Sequence, residues 1–326
     1  MEHTRLGASG LRVSRIALGC MSFGKPFEQA PWILDDAEAG PLFRQALDLG
    51  ITFWDTANYY GRGTSEEIVG RALRKYTRRE DIVLATKVFL PMGEGPGGSG
   101  LSRRAIMEQV DASLRRLDTD YVDLYQIHRY DPDVPVEETM EALHDVVKAG
   151  KARYLGASSM WAWRFAKMQE AASAHGWTRF VSMQDQYNLV QREEEREMFG
   201  LLADQGVGCL PWSPLAGGLV TRPWGERSTS RAASNPTRDP SGRPMFLESD
   251  RAIVDAVQRI ADARGVPMAQ VALAWVLHNP VVTSPIVGAT KPGHLADAVG
   301  ALDLRLTEEE IASLEGPYTP REPTYF

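Results

Sequence analysis

The sequence predicts an α/β fold, a (β/α)8 barrel of the TIM type, and three observations carry that prediction. Strand-like apolar runs alternate with amphipathic helices from one end of the chain to the other. The runs number eight, near 15–19, 51–55, 82–86, 121–127, 153–157, 180–184, 207–211 and 283–287. Eight parallel strands with right-handed crossovers close naturally into a barrel. No Gly-x-Gly-x-x-Gly follows the first run, which weighs against a doubly wound dinucleotide-binding sheet. The whole chain, 1–326, is read as a single domain, a length that single barrels commonly reach.

Taken in order, residues 5–13 read as an N-terminal β-hairpin laid across one end of the barrel, with a Gly-rich turn between Leu6 and Leu11. Helical spacing is expected near 36–49, 65–76, 102–117, 136–149, 161–175, 192–205, 250–263, 268–278, 294–301 and 307–315. The run Ile51-Thr52-Phe53-Trp54 is rich in β-formers and ends in Asp55, then enters a loop with Tyr59, Tyr60 and Gly61. Thr64-x-x-Glu67 has the form of a capping box opening the next helix. Gly93 to Gly100 reads as a flexible surface loop, because no Lys-Ser/Thr pair follows to make it a phosphate cradle. Pro214 to Ser249, after strand seven, is too long for an ordinary connection and is expected to be a lid over the top of the barrel.

Composition narrows the partners. Hydrophobic residues at 43% and charged residues at 24% are ordinary for a globular protein. A net charge of −7 and a pI near 5.5 argue against nucleic acid as a partner. The N-terminus lacks an apolar signal core and no run reaches transmembrane length, so a cytoplasmic protein with no membrane partner is expected. Cys20 and Cys209 give no disulfide framework and fit a reducing compartment.

Three successive strand ends carry titratable groups: Asp55, Lys87 and His128, with a phenol from Tyr59 or Tyr60 beside them. Alone, each has an ordinary explanation as a helix cap, a solvated charge or a satisfied core imidazole. Together at one mouth they read as a functional cluster. A free phenol, with a pKa of about 10, is a poor proton donor near neutrality. A neighbouring ammonium is expected to lower that pKa, and Asp55 to keep Lys87 charged and aimed. His128 is suited to polarising a carbonyl oxygen. The cluster contains no nucleophile and no His or Cys spacing for a metal, so what it lacks is a hydride donor.

The later strands offer room for one. Ser158, Ser159 and Gln184 supply neutral donors and acceptors suited to a nicotinamide carboxamide. Trp212, in Pro211-Trp212-Ser213-Pro214-Leu215, can stack on a flat ring. Gly288-Ala289-Thr290-Lys291-Pro292 leads into a helix, a setting that suits phosphate. Met21, Phe23, Phe27, Trp32, Phe89, Tyr130, Trp161 and Trp224 are candidates for the substrate wall, and so many aromatic groups suit an aryl or bulky small-molecule carbonyl substrate.

At this point the chain resembles the aldo-keto reductases over nearly its whole length. DTANYYGRGTSEEIVGRAL matches the family's Asp-Thr-Ala-x-x-Tyr-Gly signature, LRRLDTDYVDLYQIH its second, and ATKV, QDQYNLVQR and PWSPLAGGL follow in order. The sequence is most similar to the bacterial and fungal aryl-alcohol-dehydrogenase-like branch, and more distantly to potassium-channel β subunits. The latter likeness implies an alternative role as a redox-sensing subunit with slow turnover. The resemblance implies NADPH/NADP+ as cofactor, and Tyr60 rather than Tyr59 as the general acid, with Asp55, Lys87 and His128. It also implies Ser158, Ser159 and Gln184 on the carboxamide, Trp212 on the nicotinamide, and Leu215 and Gly217 near the pyrophosphate. Ser159 stands where Asn is common and Trp212 where Tyr is common. His294 and Ala298, in the adenosine-phosphate segment, replace Arg or Gln and Asn; Lys291 and Arg222 are expected to supply charge there.

Overall fold

An antiparallel hairpin, β1 (His3–Arg5) and β2 (Arg12–Ser14), precedes the barrel proper. The computed structural model describes residues 1–26, 30–226, 233–234 and 242–323, so Phe27 and part of the expected lid lie outside the described residues. Eight parallel strands follow in chain order: β3 (Ala17–Gly19), β4 (Phe53–Asp55), β5 (Val83–Val88), β6 (Val122–Ile127), β7 (Ala152–Ser158), β8 (Phe180–Gln184), β9 (Gly208–Cys209) and β10 (Ile286–Gly288). Neighbours in sequence are neighbours in the sheet, and β10 returns to pair with β3. The ring closes through main-chain bonds between β9 and the segment before β10. Thr283 donates to the Cys209 carbonyl at 2.9 Å and Ile286 to the Pro211 carbonyl at 2.8 Å.

The helices form the outer layer: α1 (Asp36–Asp48), α2 (Thr64–Tyr76), α3 (Arg103–Leu117), α4 (Val136–Lys148), α5 (Ala162–His175), α6 (Met198–Gln205), α7 (Asp250–Arg264), α8 (Met268–His278), α9 (Pro292–Gly300) and α10 (Glu308–Glu315). Strand alternation divides the apolar residues into two cores. Phe53, Ala85, Leu124, Leu210 and Ile286 fill the barrel interior, where Leu6 and Val13 of the hairpin plug its lower end. Trp54, one residue from Phe53, packs instead among the helices, its ring 4.9 Å from that of Phe43. The polar positions one step above the inner core are what the fold delivers to the site.

Two local expectations change. The N-cap of α2 is Gly63, with no side-chain cap bond. The Thr64 hydroxyl donates to the Gly61 carbonyl and accepts from the Lys25 amide, tying two loops together instead of capping the helix. The helix expected over 192–205 is split into a 3-10 turn at Glu193–Glu195 and α6, because Glu193 is drawn to Tyr318, the Arg321 amide and Arg196. Among the described residues no helix is long and apolar enough to cross a membrane.

Candidate active site

The inner-face rule that points Phe53, Ala85 and Leu124 into the barrel also governs residues two positions on: Asp55, Lys87 and Gln126. Register places Asp55 opposite Ala85 and Lys87 opposite Gln126. Lys87, with no exposed surface, donates from Nζ to Asp55 Oδ1 at 2.5 Å, to the Thr56 carbonyl at 2.9 Å and to the Tyr60 phenol oxygen at 3.3 Å. All three ammonium protons thus have acceptors, which is what makes a buried lysine tolerable. The second oxygen of Asp55 accepts from Gln126 Nε2 at 2.9 Å and Gln184 Nε2 at 3.0 Å. Lys87 reaches Tyr60, whereas Tyr59 is 43% exposed at the surface. The His128 ring meets the Tyr60 ring nearly edge-on, with centroids 5.8 Å apart and planes at 82°.

Burial sets the protonation states and the neighbours modify them. For Lys87 burial disfavours the ammonium, but Asp55 and Tyr60 outweigh it and hold the group above its ordinary range. For Tyr60 burial favours the neutral phenol. Lys87 opposes it, as the sequence suggests, yet the net direction is upward, so the phenol of the free protein keeps its proton. His128 is driven well below its usual range by burial, then by Lys87 and Arg129, and its imidazole is neutral.

These groups stand at the floor of a cavity of about 1840 Å³. Asp55, Tyr60 and His128 line it, as do Ser158, Gln184, Trp212, Ser213, Leu215, Gly217, Arg222, Gly288, Thr290, Lys291 and His294. Ser159 lies behind the wall and accepts a hydrogen bond from the Trp212 indole at 2.9 Å, fixing the ring that faces the cavity. Met21 and Trp32 line the substrate side. Phe23 does not: it is fully buried against Phe43 in the helix-side core, because its backbone turns inward after the 3-10 turn Cys20–Ser22. Phe89, Tyr130 and Trp224 are half-buried packing residues, and Tyr130 carries the Arg164 guanidinium over its ring at 4.6 Å. Trp161 is 42% exposed at the start of α5.

The residues present fit a nicotinamide nucleotide. Both Nε2 hydrogens of Gln184 are engaged, by Asp55 and by Gln126 Oε1 at 3.1 Å, so its carbonyl oxygen is what it offers an amide N–H. Beyond Trp212 the backbone turns through positive φ at Ser213 (51°), Ala216 (50°), Gly217 (62°) and Gly218 (93°). Such turns make the small concavities that receive phosphate oxygens. A Cβ at Gly218 would lie 2.5 Å from Arg222 Nη2, so the glycine lets the guanidinium close over this turn.

Three features escaped the sequence reading. In the sequence Gln126 reads only as part of a strand, although it occupies the same inward step above Leu124 that Asp55 occupies above Phe53. Arg129 and Arg62 line the cavity, and their adjacency to His128 and Gly61 was the available signal. Asp185 is fully buried and neither of its carboxylate oxygens is within hydrogen-bonding geometry of a donor; burial pushes it up to about 7 against the opposing pull of the Ser159 amide and Arg129.

Comparison with known proteins agrees with this geometry. The sequence profile described as "Aldo/keto reductase family" matches residues 15–318. Versiconal hemiacetal acetate reductase of Aspergillus parasiticus is 47% identical, covering 98% of each chain. An aldo-keto reductase of Fusarium vanettenii is 44% identical over 98% of this chain and 92% of its own. A Schizosaccharomyces pombe protein that carries the name aryl-alcohol dehydrogenase is 43% identical over 97% and 95%. A buried Asp–Lys pair, a phenol and an imidazole at the strand ends of a closed eight-stranded barrel, with a profile match across nearly all of it, place the chain in the Aldo/keto reductase family of oxidoreductases.

Proposed function

We propose that this protein reduces aldehydes or ketones, aryl or bulky carbonyls foremost, to alcohols with NADPH, and that Tyr60 is the acid. The observation that carries this reading is the direction of the hydrogen bond at Tyr60. An ammonium has only donors, so the phenol oxygen accepts from Lys87 and its own proton is turned away from Lys87. Relatives named as a hemiacetal acetate reductase and an aryl-alcohol dehydrogenase support the substrate class.

When bound, the nicotinamide supplies a hydride to the carbonyl carbon. Tyr60 gives its proton to the carbonyl oxygen as negative charge builds there, and Lys87 stabilises the phenolate left behind. Neutral His128, edge-on to Tyr60, has a single N–H with which to polarise the same oxygen without competing as an acid. Ser158 and Gln184 are assigned to the carboxamide and Trp212 to the ring, with Ser159, behind the wall, holding the indole in place. Leu215, Gly217 and Arg222 are assigned to the pyrophosphate, and Gly288, Thr290, Lys291 and His294 to the adenosine phosphate.

Loss of reduced-nicotinamide absorbance with a panel of aromatic aldehydes tests the reading. Tyr60→Phe should lower turnover by about 10²–10⁴, the range for a general acid, while NADPH binding changes only a few-fold. Retention of more than half the activity in Tyr60→Phe, with its loss in Tyr59→Phe, would overturn the assignment. Wild-type protein that binds NADPH but turns over no aldehyde would point to a regulatory subunit.

A further inference from the structure

Gln126 is fully buried, and a leucine or methionine would fill its place with no polar group to satisfy. What the amide adds is a donor aimed at Asp55 Oδ2 and an acceptor for Gln184. The orientation of both amides is fixed by this network. Turning Gln184 over would set its oxygen against the Asp55 carboxylate, and turning Gln126 over would do the same. Room for the side chain comes from the next strand, where a Cβ at Gly156 would stand 3.0 Å from Gln126 Cγ. The strand register, Lys87 opposite Gln126 and Gln126 opposite Gly156, brings the three into one row.

We propose that Gln126 is a positioning residue that tunes the acidity of Tyr60 through Asp55 and Lys87. Its N–H holds the carboxylate so that Oδ1 faces Lys87, and draws negative charge toward Oδ2. Asp55 and Lys87 act on the Tyr60 proton in opposite senses, the carboxylate holding it on and the ammonium favouring its loss. A donor on Asp55 weakens the first influence and leaves the second in place. Gln126 therefore makes the phenol easier to ionise than the bare ion pair would.

The inference rests on Tyr60 as the acid, and the test keeps the two apart. Oxidation of benzyl alcohol by NADP+ requires the phenolate, so its rate has an ascending limb with pH set by Tyr60. In Gln126→Met that limb should move to higher pH, and turnover below it should fall by about tenfold, the equivalent of one hydrogen bond to a charged group. NADP+ affinity, read by quenching of tryptophan fluorescence, should change by less than a few-fold. Gln126→Asn, whose shorter side chain withdraws the amide from Asp55, should shift the limb the same way and serves if the Met variant does not fold. A limb at the wild-type pH in the folded variant, whether turnover is preserved or reduced, would overturn the proposal and leave Gln126 a packing residue. Tyr60→Phe run in parallel isolates the underlying reading: wild-type alcohol oxidation in that variant would overturn Tyr60 as the acid, whatever Gln126 does.

Discussion

Asp55 and Asp185 are both buried carboxyl groups, 1% and 0% exposed, one at the end of β4 and the other one residue past β8. Asp55 receives Lys87, Gln126 and Gln184. Asp185 has no such partner: the Ser159 amide, whose nearness opposes the rise in its pKa, spends its hydrogen bond on the Gln184 carbonyl at 3.1 Å. Charged and titratable groups around it include Glu194, which burial and Asp185 together push well above the carboxylate range, the buried Cys209 thiol, and Arg129 on the favourable side. Equal burial thus gives a carboxylate locked in an ion pair at one site and a proton-holding acid at the other. The inventory of donors decides the charge, and depth alone does not.

The contrast can be broken most severely at Asp55. Asp55→Ala leaves the Lys87 ammonium buried without its counter-charge, which costs about 3–5 kcal/mol when one partner of a buried pair is removed. Carbonyl reduction should fall by about 10²–10⁴ as well, since Tyr60 loses its ordered neighbour. Urea denaturation together with the aldehyde assay checks both, and wild-type stability in this variant would contradict the account. At Asp185 the effect should have the opposite sign. The folded protein binds the Asp185 proton more tightly than the unfolded chain does between the ordinary value of 3.8 and about 7. Stability therefore declines as pH rises through that window. Asp185→Asn cannot ionise, so it should match wild type at the acid end. At pH about 8 it should gain about 1–3 kcal/mol, the scale of an unsatisfied buried polar group. Thermal unfolding at both pH values would show it, and equal melting temperatures at both would contradict it. The smallest effect belongs to a charge that keeps its water. Lys291 is exposed, so Lys291→Ala should leave stability unchanged and, if the proposed NADPH reading holds, weaken NADPH relative to NADH by only a few-fold, measured by titrating both nucleotides.

Much of this was legible in the sequence because strands announce themselves by a two-residue period. Asp55 and Lys87 could be read from their places at the ends of apolar runs, and the structure joins them at 2.5 Å. Gln126 obeys the same period, yet was hidden because an uncharged side chain in a strand attracts no notice until its partners are known. The aromatic residues were less legible for a different reason. Met21 and Phe23 lie two apart, and which one faces the cavity depends on a 3-10 turn that no periodicity marks. Thr64 had the spacing of a cap, but the competing acceptor and donor, the Gly61 carbonyl and the Lys25 amide, come from loop geometry. Asp185 was invisible because its character lies in the partners it lacks.

Closure of the sheet has a consequence for how the protein is made. The ring is sealed only when the segment from Thr283 to Gly288 docks between β9 and β3. Asp55, Tyr60, Lys87 and His128 leave the ribosome well before that segment exists. A nascent chain that ends after β9 already holds all four, yet β3 and β9 still show unpaired edges to the surrounding solution. The late segment also runs directly into Thr290, Lys291 and His294, so sealing the ring and completing the far end of the cavity coincide in time. A chain stopped there should therefore expose two strand edges and an unfinished cavity together, so that aggregation and loss of the site have one structural cause.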